Sequence, residues 1–261
     1  MELSLIVLRQ TVTMFILMGA GWLLYRSRFF SNQGCQEMSR ILVTAIIGCV
    51  IVRSYTVEFS TEKLWSLLAA ACTAFLAQGV SILIAHVLYG KRKRIENFAV
   101  SFSNTGFMGI PLVSAVLGDE AVFYVSIYVA FVNVAQQTYG VAVITGNWSY
   151  VKPKKVLTNP APLALFIGLT LFFLPVKPPA LVMDCVDYIA DMNTALAMMI
   201  LGVYLAQTPV RDMFLDAGLY RASAVRLILV PAATIAVLAV LPFSFNIKIT
   251  ELIAAATPVG S

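Results

Sequence analysis

The sequence predicts an all-α membrane protein made of two five-helix units that form an inverted repeat. First, 60% of the 261 residues are hydrophobic and only 12% are charged, whereas about a quarter of the residues in an ordinary globular domain are charged. Second, the apolar residues form blocks that are long enough to cross a bilayer. Third, two of these blocks are interrupted at matching positions by Pro111 and Pro258.

The composition also limits the classes of function that the protein can have. The mean hydropathy is +0.87, and a spanning helix needs roughly 20 apolar residues, so about eight to ten helices fit. The net charge of +5 comes mainly from short loops, a pattern typical of orientation signals, so the lipid bilayer is expected as a partner and nucleic acid is not. No nucleophile–base pair, metal-ligand cluster or phosphate loop is visible, so we expect neither an enzyme nor a cofactor.

Nine apolar segments are predicted to be helices. In the first unit they lie near residues 3–25, 37–51, 64–89, 95–117 and 121–145, and in the second near 161–174, 185–207, 221–241 and from 249 onward. The predicted domains are 1–145 for the first repeat, 146–159 for a cytoplasmic linker and 160–261 for the second repeat. This second repeat is expected to be incomplete, because the chain stops at Ser261 during the ninth helix and lacks the final helix.

The basic residues predict the orientation. With the N-terminus outside, thirteen Lys and Arg residues fall on the inner side, among them Arg211, Arg226 and the cluster at 91–94, and five fall on the outer side, among them Lys177. Because inner loops are enriched in Lys and Arg, we expect a multi-pass protein of the cell membrane with its N-terminus outside.

Proline spacing predicts the internal repeat. Pro258 follows Pro111 by 147 positions, and a shift of about that length places the first three predicted helices on the sixth, seventh and eighth. Five spans per unit is an odd number, so the second unit enters the membrane with the opposite orientation. Many secondary transporters are built in this way.

The fourth predicted helix contains the candidate site residues Asn104, Thr105, Gly106, Gly109 and Pro111. Proline and glycine interrupt a helix, and in lipid such a break is tolerated where it faces protein or a water-filled cavity. The half-helix that starts there presents unpaired N–H groups and a partial positive charge, which suit a carboxylate. The alternative is a simple proline kink.

The ninth segment contains a second break, with Thr257 and Pro258. If the two breaks cross, their half-helix N-termini converge on one anionic ligand, with Asn104 and Thr257 as side-chain partners. Two breaks at matching depth favour a site over a kink. Asn133 and Gln137, one turn apart on the fifth helix, either line the substrate path or form hydrogen bonds between helices.

Two further expectations concern other polar or small positions in the spans. The same two alternatives hold for Asn193, Gly202 and Tyr204 in the seventh helix, with packing favoured for Gly202. The acidic residues, including Glu251, fall nearer the ends of the predicted spans than their middles. Carriers coupled to protons or sodium usually keep a carboxylate at mid-depth, so coupling through a buried acid is disfavoured.

Residues 104–112 read Asn-Thr-Gly-Phe-Met-Gly-Ile-Pro-Leu, and residues 118–121 read Gly-Asp-Glu-Ala. Through these two motifs the chain resembles the auxin efflux carrier family, which includes plant auxin exporters and bacterial malate permease-like proteins. The resemblance is supported by Asn-Pro at 159–160, Leu-Gly-Val-Tyr-Leu-Ala at 201–206 and Ala-Thr-Pro at 256–258. The chain departs from the family in its second helix, where Gly48 stands in a stretch that usually contains a proline.

The resemblance implies ten helices in two inverted repeats, with broken crossover helices 4 and 9. It implies a scaffold domain of helices 1, 2, 6 and 7, through which the family tends to form homodimers, and a transport domain that moves as an elevator. It assigns ligand binding to Asn104 and crossover roles to Pro111 and Pro258. The expected function is a secondary transporter of small organic anions such as carboxylates. The alternative is a non-transporting or degenerate membrane protein, either a sensor or a fragment of a longer carrier.

Overall fold

A computed structural model describes residues 2–174, 178–208 and 216–260, and over these ranges the chain is helical with one isolated β-bridge and no strand. The helices are α1 Glu2–Arg26, α2 Asn32–Ser54, α3 Thr61–Tyr89, α4 Arg94–Ser101, α5 Thr105–Leu117, α6 Asp119–Thr145, α7 Pro153–Leu157, α8 Pro160–Phe173, α9 Ala180–Gln207, α10 Ala217–Ala239 and α11 Phe245–Ala256. The all-helical prediction is confirmed. Lys177, Arg211 and Ser261, which entered the orientation and length arguments, lie outside the described residues.

Within the described ranges, six helices are long and apolar enough to cross a membrane: α1, α2, α3, α6, α9 and α10. Many large apolar side chains on them point outward, including Phe15, Trp65 and Phe75, which are 64 to 68% exposed. Outward-facing apolar side chains on helices of this length are expected where lipid is the surrounding solvent. These features describe a multi-pass membrane protein.

Capping residues explain where the helices begin. Ser31, Ser60, Asn159 and Asp216 each accept a hydrogen bond from a backbone N–H in the first turn of the helix that follows, which satisfies a donor that the helix leaves open. The caps Ser31 and Asp216 place the starts of α2 and α10 five and four residues ahead of the predicted positions. The start of α11 at Phe245 is also four residues early, but the side chain of Ser244 before it makes no capping hydrogen bond. The short helix α7 lies within the predicted linker at 146–159.

The helices pack as two groups. In one group, which we call the α1/α2/α8/α9 group, α1 packs against α9, and α2 packs against both α8 and α9. The backbones of α1 and α9 touch at glycines: a Cβ on Gly202 would overlap the carbonyl group of Met18, and a Cβ on Gly21 would overlap the backbone of Met199. Small residues permit such close approach between membrane helices, so the packing interpretation of Gly202 is confirmed.

The second group, the α3/α4/α5/α6/α10/α11 group, is organised around α3. This helix packs against α4, α6, α10 and α11, and α11 in turn packs against α5, α6 and α10. Both helix interruptions predicted from the sequence lie in this group, between α4 and α5 and at the end of α11. The site described below therefore has its main polar elements on one packed unit.

Candidate functional site

The first break is a three-residue interruption at 102–104. Phe102 adopts an extended conformation after α4, and α5 then starts with a wide π-helical turn in which the N–H groups of Met108 and Gly109 both donate to the Asn104 carbonyl oxygen, at 3.0 and 3.2 Å. Pro111 follows in the first turn of the regular α-helical part, where its missing N–H is tolerated. The interruption therefore lies seven residues ahead of the proline that indicated it.

The second break follows α11 and pairs with the first. The Asn104 N–H donates to the Pro258 carbonyl oxygen at 2.8 Å, and the Gly260 N–H donates to the Phe102 carbonyl oxygen at 3.1 Å. Ser103 and Val259 form an isolated antiparallel bridge between these bonds. Each break thus satisfies backbone groups that the other leaves without an intrahelical partner, as membrane-embedded irregular backbone requires.

Arg226 joins the ends of both broken helices. Its side chain is 1% exposed, and its guanidinium donates to the carbonyl oxygens of Val100 at 3.0 Å, Ala255 at 2.5 Å and Thr257 at 3.1 Å. These carbonyls lie at the C-terminal ends of α4 and α11, which carry unpaired acceptors and a partial negative charge. The count of Arg226 among the inner-side orientation charges was therefore wrong, because its side chain is buried inside the helix group.

A cavity of about 200 Å³ lies beside the paired breaks. It is lined by Val43 and Ile47 of α2, Ser103, Asn104, Thr105, Gly106 and Phe107 of the first break, Val129, Val132, Asn133, Gln136 and Gln137 of α6, Asn159 and Ala161 at the start of α8, and Gly260 of the second break. This volume is below the ~300–1,000 Å³ typical of drug-sized ligand pockets, and none of the described lining residues is ionisable. The cavity therefore suits a small ligand that is bound by uncharged donors.

The amide side chains of the lining differ in their hydrogen bonding. Asn133 donates to its own helix, at the Val129 carbonyl oxygen 2.8 Å away, and Asn159 caps α8. Within the described ranges the side chains of Asn104, Gln136 and Gln137 make no hydrogen bond to the protein. The N–H groups in the first turn of α5 also have no intrahelical acceptor. Several donors without a described partner therefore belong to residues that line one small cavity.

Five of the nine sequence-predicted site residues line the cavity: Asn104, Thr105, Gly106, Asn133 and Gln137. The other four lie outside the lining and shape the breaks. A Cβ on Gly109 would stand 3.7 Å from the Ala254 Cα, Pro111 is buried in α5, and the Pro258 carbonyl accepts the bond from Asn104. The Thr257 hydroxyl donates to the Ala254 carbonyl oxygen at 2.9 Å.

Sequence reasoning missed Ser103, Gln136, Asn159 and Gly260 as lining residues. Gln136 gave a signal, since it is a second amide in an otherwise apolar span beside Gln137. Gly260 gave none, although a Cβ there would stand 2.8 Å from the Ser103 carbonyl oxygen and 3.2 Å from the Gln136 amide nitrogen. A glycine at this position lets the two breaks approach each other.

Glu251 also lies elsewhere than the sequence indicated. It falls in the middle of α11 and is 0% exposed, and neither carboxyl oxygen has a hydrogen-bond partner among the described residues. The expectation that the acidic residues fall nearer the ends of the spans than their middles was therefore wrong for this one.

The sequence was compared with known proteins. Residues 6–261 match the family described as "Membrane transport protein". A stretch of 133 residues is 28% identical to a protein of Rhizobium meliloti (strain 1021) that carries the name "Putative malonate transporter", and the match covers 48% of this chain and 42% of that relative. Because the family match extends over nearly the whole chain, and because the paired breaks contain the motif that predicted it, the chain belongs to the membrane transport protein family, the auxin efflux carriers.

Proposed function

We propose that this protein is a secondary transporter that carries small organic anions with carboxylate groups across the cell membrane. The observation that carries the proposal is the cavity beside the paired breaks, in which the side-chain amides of Asn104, Gln136 and Gln137 have no hydrogen-bond partner among the described residues. Amide and backbone N–H groups donate to carboxylate oxygens, and the start of α5 adds a partial positive charge. The name of the Rhizobium relative supports a dicarboxylate such as malonate as the first substrate to test.

The proposal includes the inverted repeat and its crossover. The first unit comprises α1 to α6 and the second comprises α8 to α11, with α7 in the linker. The bonds that join Asn104 to Pro258 and Phe102 to Gly260 support a shared centre for the two units. In this arrangement the N-terminus lies outside, and the basic cluster at 91–94, directly after α3, lies in the cytoplasm.

The proposal also includes an elevator motion of the α3/α4/α5/α6/α10/α11 group against the α1/α2/α8/α9 group. In the described ranges, the side-chain hydrogen bonds between residues far apart in sequence fall almost entirely within one group. Ser39 with Tyr204 and Arg53 with Asp191 lie in the first, and the bonds of Gln78, Tyr139 and Arg226 lie in the second.

The exception is Tyr55 at the end of α2. Its hydroxyl accepts from Ser126 at 3.0 Å and donates to the Phe123 carbonyl oxygen at 3.3 Å, both on α6. In the described part of the chain, the Tyr55 hydroxyl is thus the one side-chain hydrogen-bonding group that joins the two groups. Such a boundary can slide at low cost, because few hydrogen bonds have to be broken and remade in the interior.

The experiment measures uptake of radiolabelled malonate and malate into liposomes that contain the purified protein, with wild type compared with Asn104→Ala. A hydrogen bond to a charged group contributes about 1.5–3 kcal/mol, so kcat/KM should fall about 10- to 150-fold. The matched control is Asn246→Ala, which removes the same amide from an exposed position in the first turn of α11. Transport by Asn104→Ala at the wild-type rate contradicts the proposed site.

A further inference from the structure

Glu251 is a buried acid without a described partner. It stands in the central part of α11, which packs against α3, α5, α6 and α10, and it is 0% exposed. Both of its carboxyl oxygens lack a hydrogen-bond partner in the parts of the chain that the structure describes. Buried polar atoms are nearly always hydrogen-bonded in folded proteins, so a carboxyl group with two open oxygens calls for a functional explanation.

The nearest ionisable groups do not neutralise it. Tyr128 of α6 and Tyr55 at the end of α2 lie within electrostatic range, and neither carries a positive charge. Arg226 of α10 is bound to three carbonyl oxygens, and both ion pairs found among the described residues belong to Arg53. Lys248, one turn earlier on α11, is half-buried and forms no ion pair in the described structure.

The remaining ionisable side chains on the elements around α11 lie toward helix ends or are at least partly exposed, and α5 has none. They are Glu62, Lys63, Cys72, His86 and Tyr89 on α3, Asp119, Glu120, Tyr124 and Tyr139 on α6, and Tyr220 and Arg221 on α10. No described cation therefore stands against the Glu251 carboxyl group.

Burial without a counter-charge decides which form of the acid this conformation holds. An ionised carboxylate that has lost its water and gained no partner is far less stable than the neutral acid. Burial without a partner therefore favours the neutral, proton-carrying form of Glu251 in this conformation.

We infer that Glu251 is a proton-binding site that couples anion transport to the proton gradient by symport. The inference rests on the proposed function and adds the coupling ion to it. Glu251 and the cavity share one element, since Gly260 of the cavity lining continues directly from α11. Thr257, where the break begins, follows Glu251 by six residues, which is about 9 Å of helix.

The charge arithmetic gives the direction of coupling. An ionised Glu251 repels an anion in the cavity through a medium of low dielectric constant, so the anion binds best after a proton has formed an O–H bond with the carboxylate. On the opposite side of the membrane, that O–H bond breaks when water reaches the acid, and the restored charge favours release of the anion. One proton and one anion therefore cross together, and the empty carrier returns.

The test uses liposomes that contain the purified protein, with radiolabelled malonate on the outside. Valinomycin and equal potassium on both sides hold the membrane potential at zero. With one proton coupled per anion, an inward gradient of one pH unit should raise the steady accumulation ratio of malonate about tenfold. Protein-free liposomes at the same gradient correct for diffusion of malonic acid.

The decisive variant is Glu251→Gln, which keeps the size and neutrality of the protonated acid. It should exchange malonate at equal pH, and its accumulation ratio should not respond to the pH gradient. Glu62→Gln, which removes an exposed acid from the first turn of α3, is the matched control and should respond as wild type does.

Each result separates the two proposals. Malonate exchange by wild type without any response to the pH gradient, or with a response only to a sodium gradient at constant pH, overturns proton coupling and leaves the carrier intact. A wild-type protein that exchanges no malonate and no malate overturns the carrier and the coupling together. If Glu251→Gln does not fold, a pH-sensitive dye inside wild-type liposomes decides, since symport requires that malonate entry acidify the interior.

Discussion

Replacement of Arg226 by methionine should destabilise the protein far more than the same replacement of Arg221, the other arginine of α10. Arg226→Met removes three hydrogen bonds, to the carbonyl oxygens of Val100, Ala255 and Thr257, and leaves these acceptors buried. Hydrogen bonds to a charged group contribute about 1.5–3 kcal/mol each. The contributions of the three hydrogen bonds do not add up here, because burial of the guanidinium costs free energy that offsets part of the gain. Removal of one side of a buried charged network costs about 3–5 kcal/mol.

Methionine keeps most of the apolar length of the side chain, so the loss should reflect the hydrogen bonds and not a cavity. The free energy of unfolding should therefore fall by about 3–5 kcal/mol. Arg226→Lys keeps the charge, but its compact ammonium group cannot reach three spread carbonyls with the fork of a guanidinium, and its loss should be intermediate.

The assay is reversible unfolding of the purified protein in detergent micelles, followed by circular dichroism. The matched control is Arg221→Met, one and a half turns earlier on α10. Arg221 is exposed and donates only to the Ala217 carbonyl oxygen of its own helix, at 3.2 Å, so its replacement should change the free energy of unfolding by less than about 0.5 kcal/mol. A loss of less than about 1 kcal/mol in Arg226→Met would refute the role of the guanidinium in joining α4 to α11.

Two further predictions concern the boundary and the packing of the helix groups. Tyr55→Phe removes the hydroxyl contact between the two groups, which is worth about 1 kcal/mol and is broken when the groups slide, so malonate exchange in liposomes should become about fivefold faster. Tyr204→Phe removes a hydroxyl contact inside one group and should leave the exchange rate unchanged. Equal rates for both variants would contradict the sliding boundary. Gly202→Ala should lower the free energy of unfolding in detergent by about 1–3 kcal/mol, because the new Cβ overlaps the backbone of α1. The control Gly19→Ala has no atom within 4 Å of its new Cβ and should be neutral or stabilising. A neutral Gly202→Ala would contradict the close contact of α1 with α9.

The helices and the first break were predictable because their signals are local. The length of each apolar block can be read from its own residues. Eight of the nine predicted segments overlap one helix of the structure, and the fourth, at 95–117, is divided into α4 and α5. Asn104, Gly106 and Pro111 disfavour a regular helix by their own chemistry, so the interruption could be placed to within one span. Its bounds could not be predicted, because the exact interruption depends on hydrogen bonds from residues 258–260, more than 150 positions away.

Arg226 and Glu251, both buried, show where local reasoning fails. The eighth predicted helix began at 221, whereas α10 begins at Ala217, and the ninth began near 249, whereas α11 begins at Phe245. Four residues are about one helical turn, or ~6 Å of depth. That error is enough to place Arg226 and Glu251 near the membrane surface when both are inside the bundle. Capping residues such as Asp216, which lie outside the apolar blocks, set the true depth.

The positions of Arg226 and Glu251 together bear on how an uncharged cavity can attract an anion. Both residues belong to the α3/α4/α5/α6/α10/α11 group, and Arg226 is paired with helix carbonyls and not with the acid. With Glu251 neutral, the interior of this group therefore has a net positive charge, and an anion that enters the cavity restores neutrality. With Glu251 ionised, the interior is already neutral and an anion adds an unbalanced charge, which is unfavourable at low dielectric constant. The fixed guanidinium and the switchable acid thus give anion affinity a dependence on one proton, without any charged residue in the described lining of the cavity.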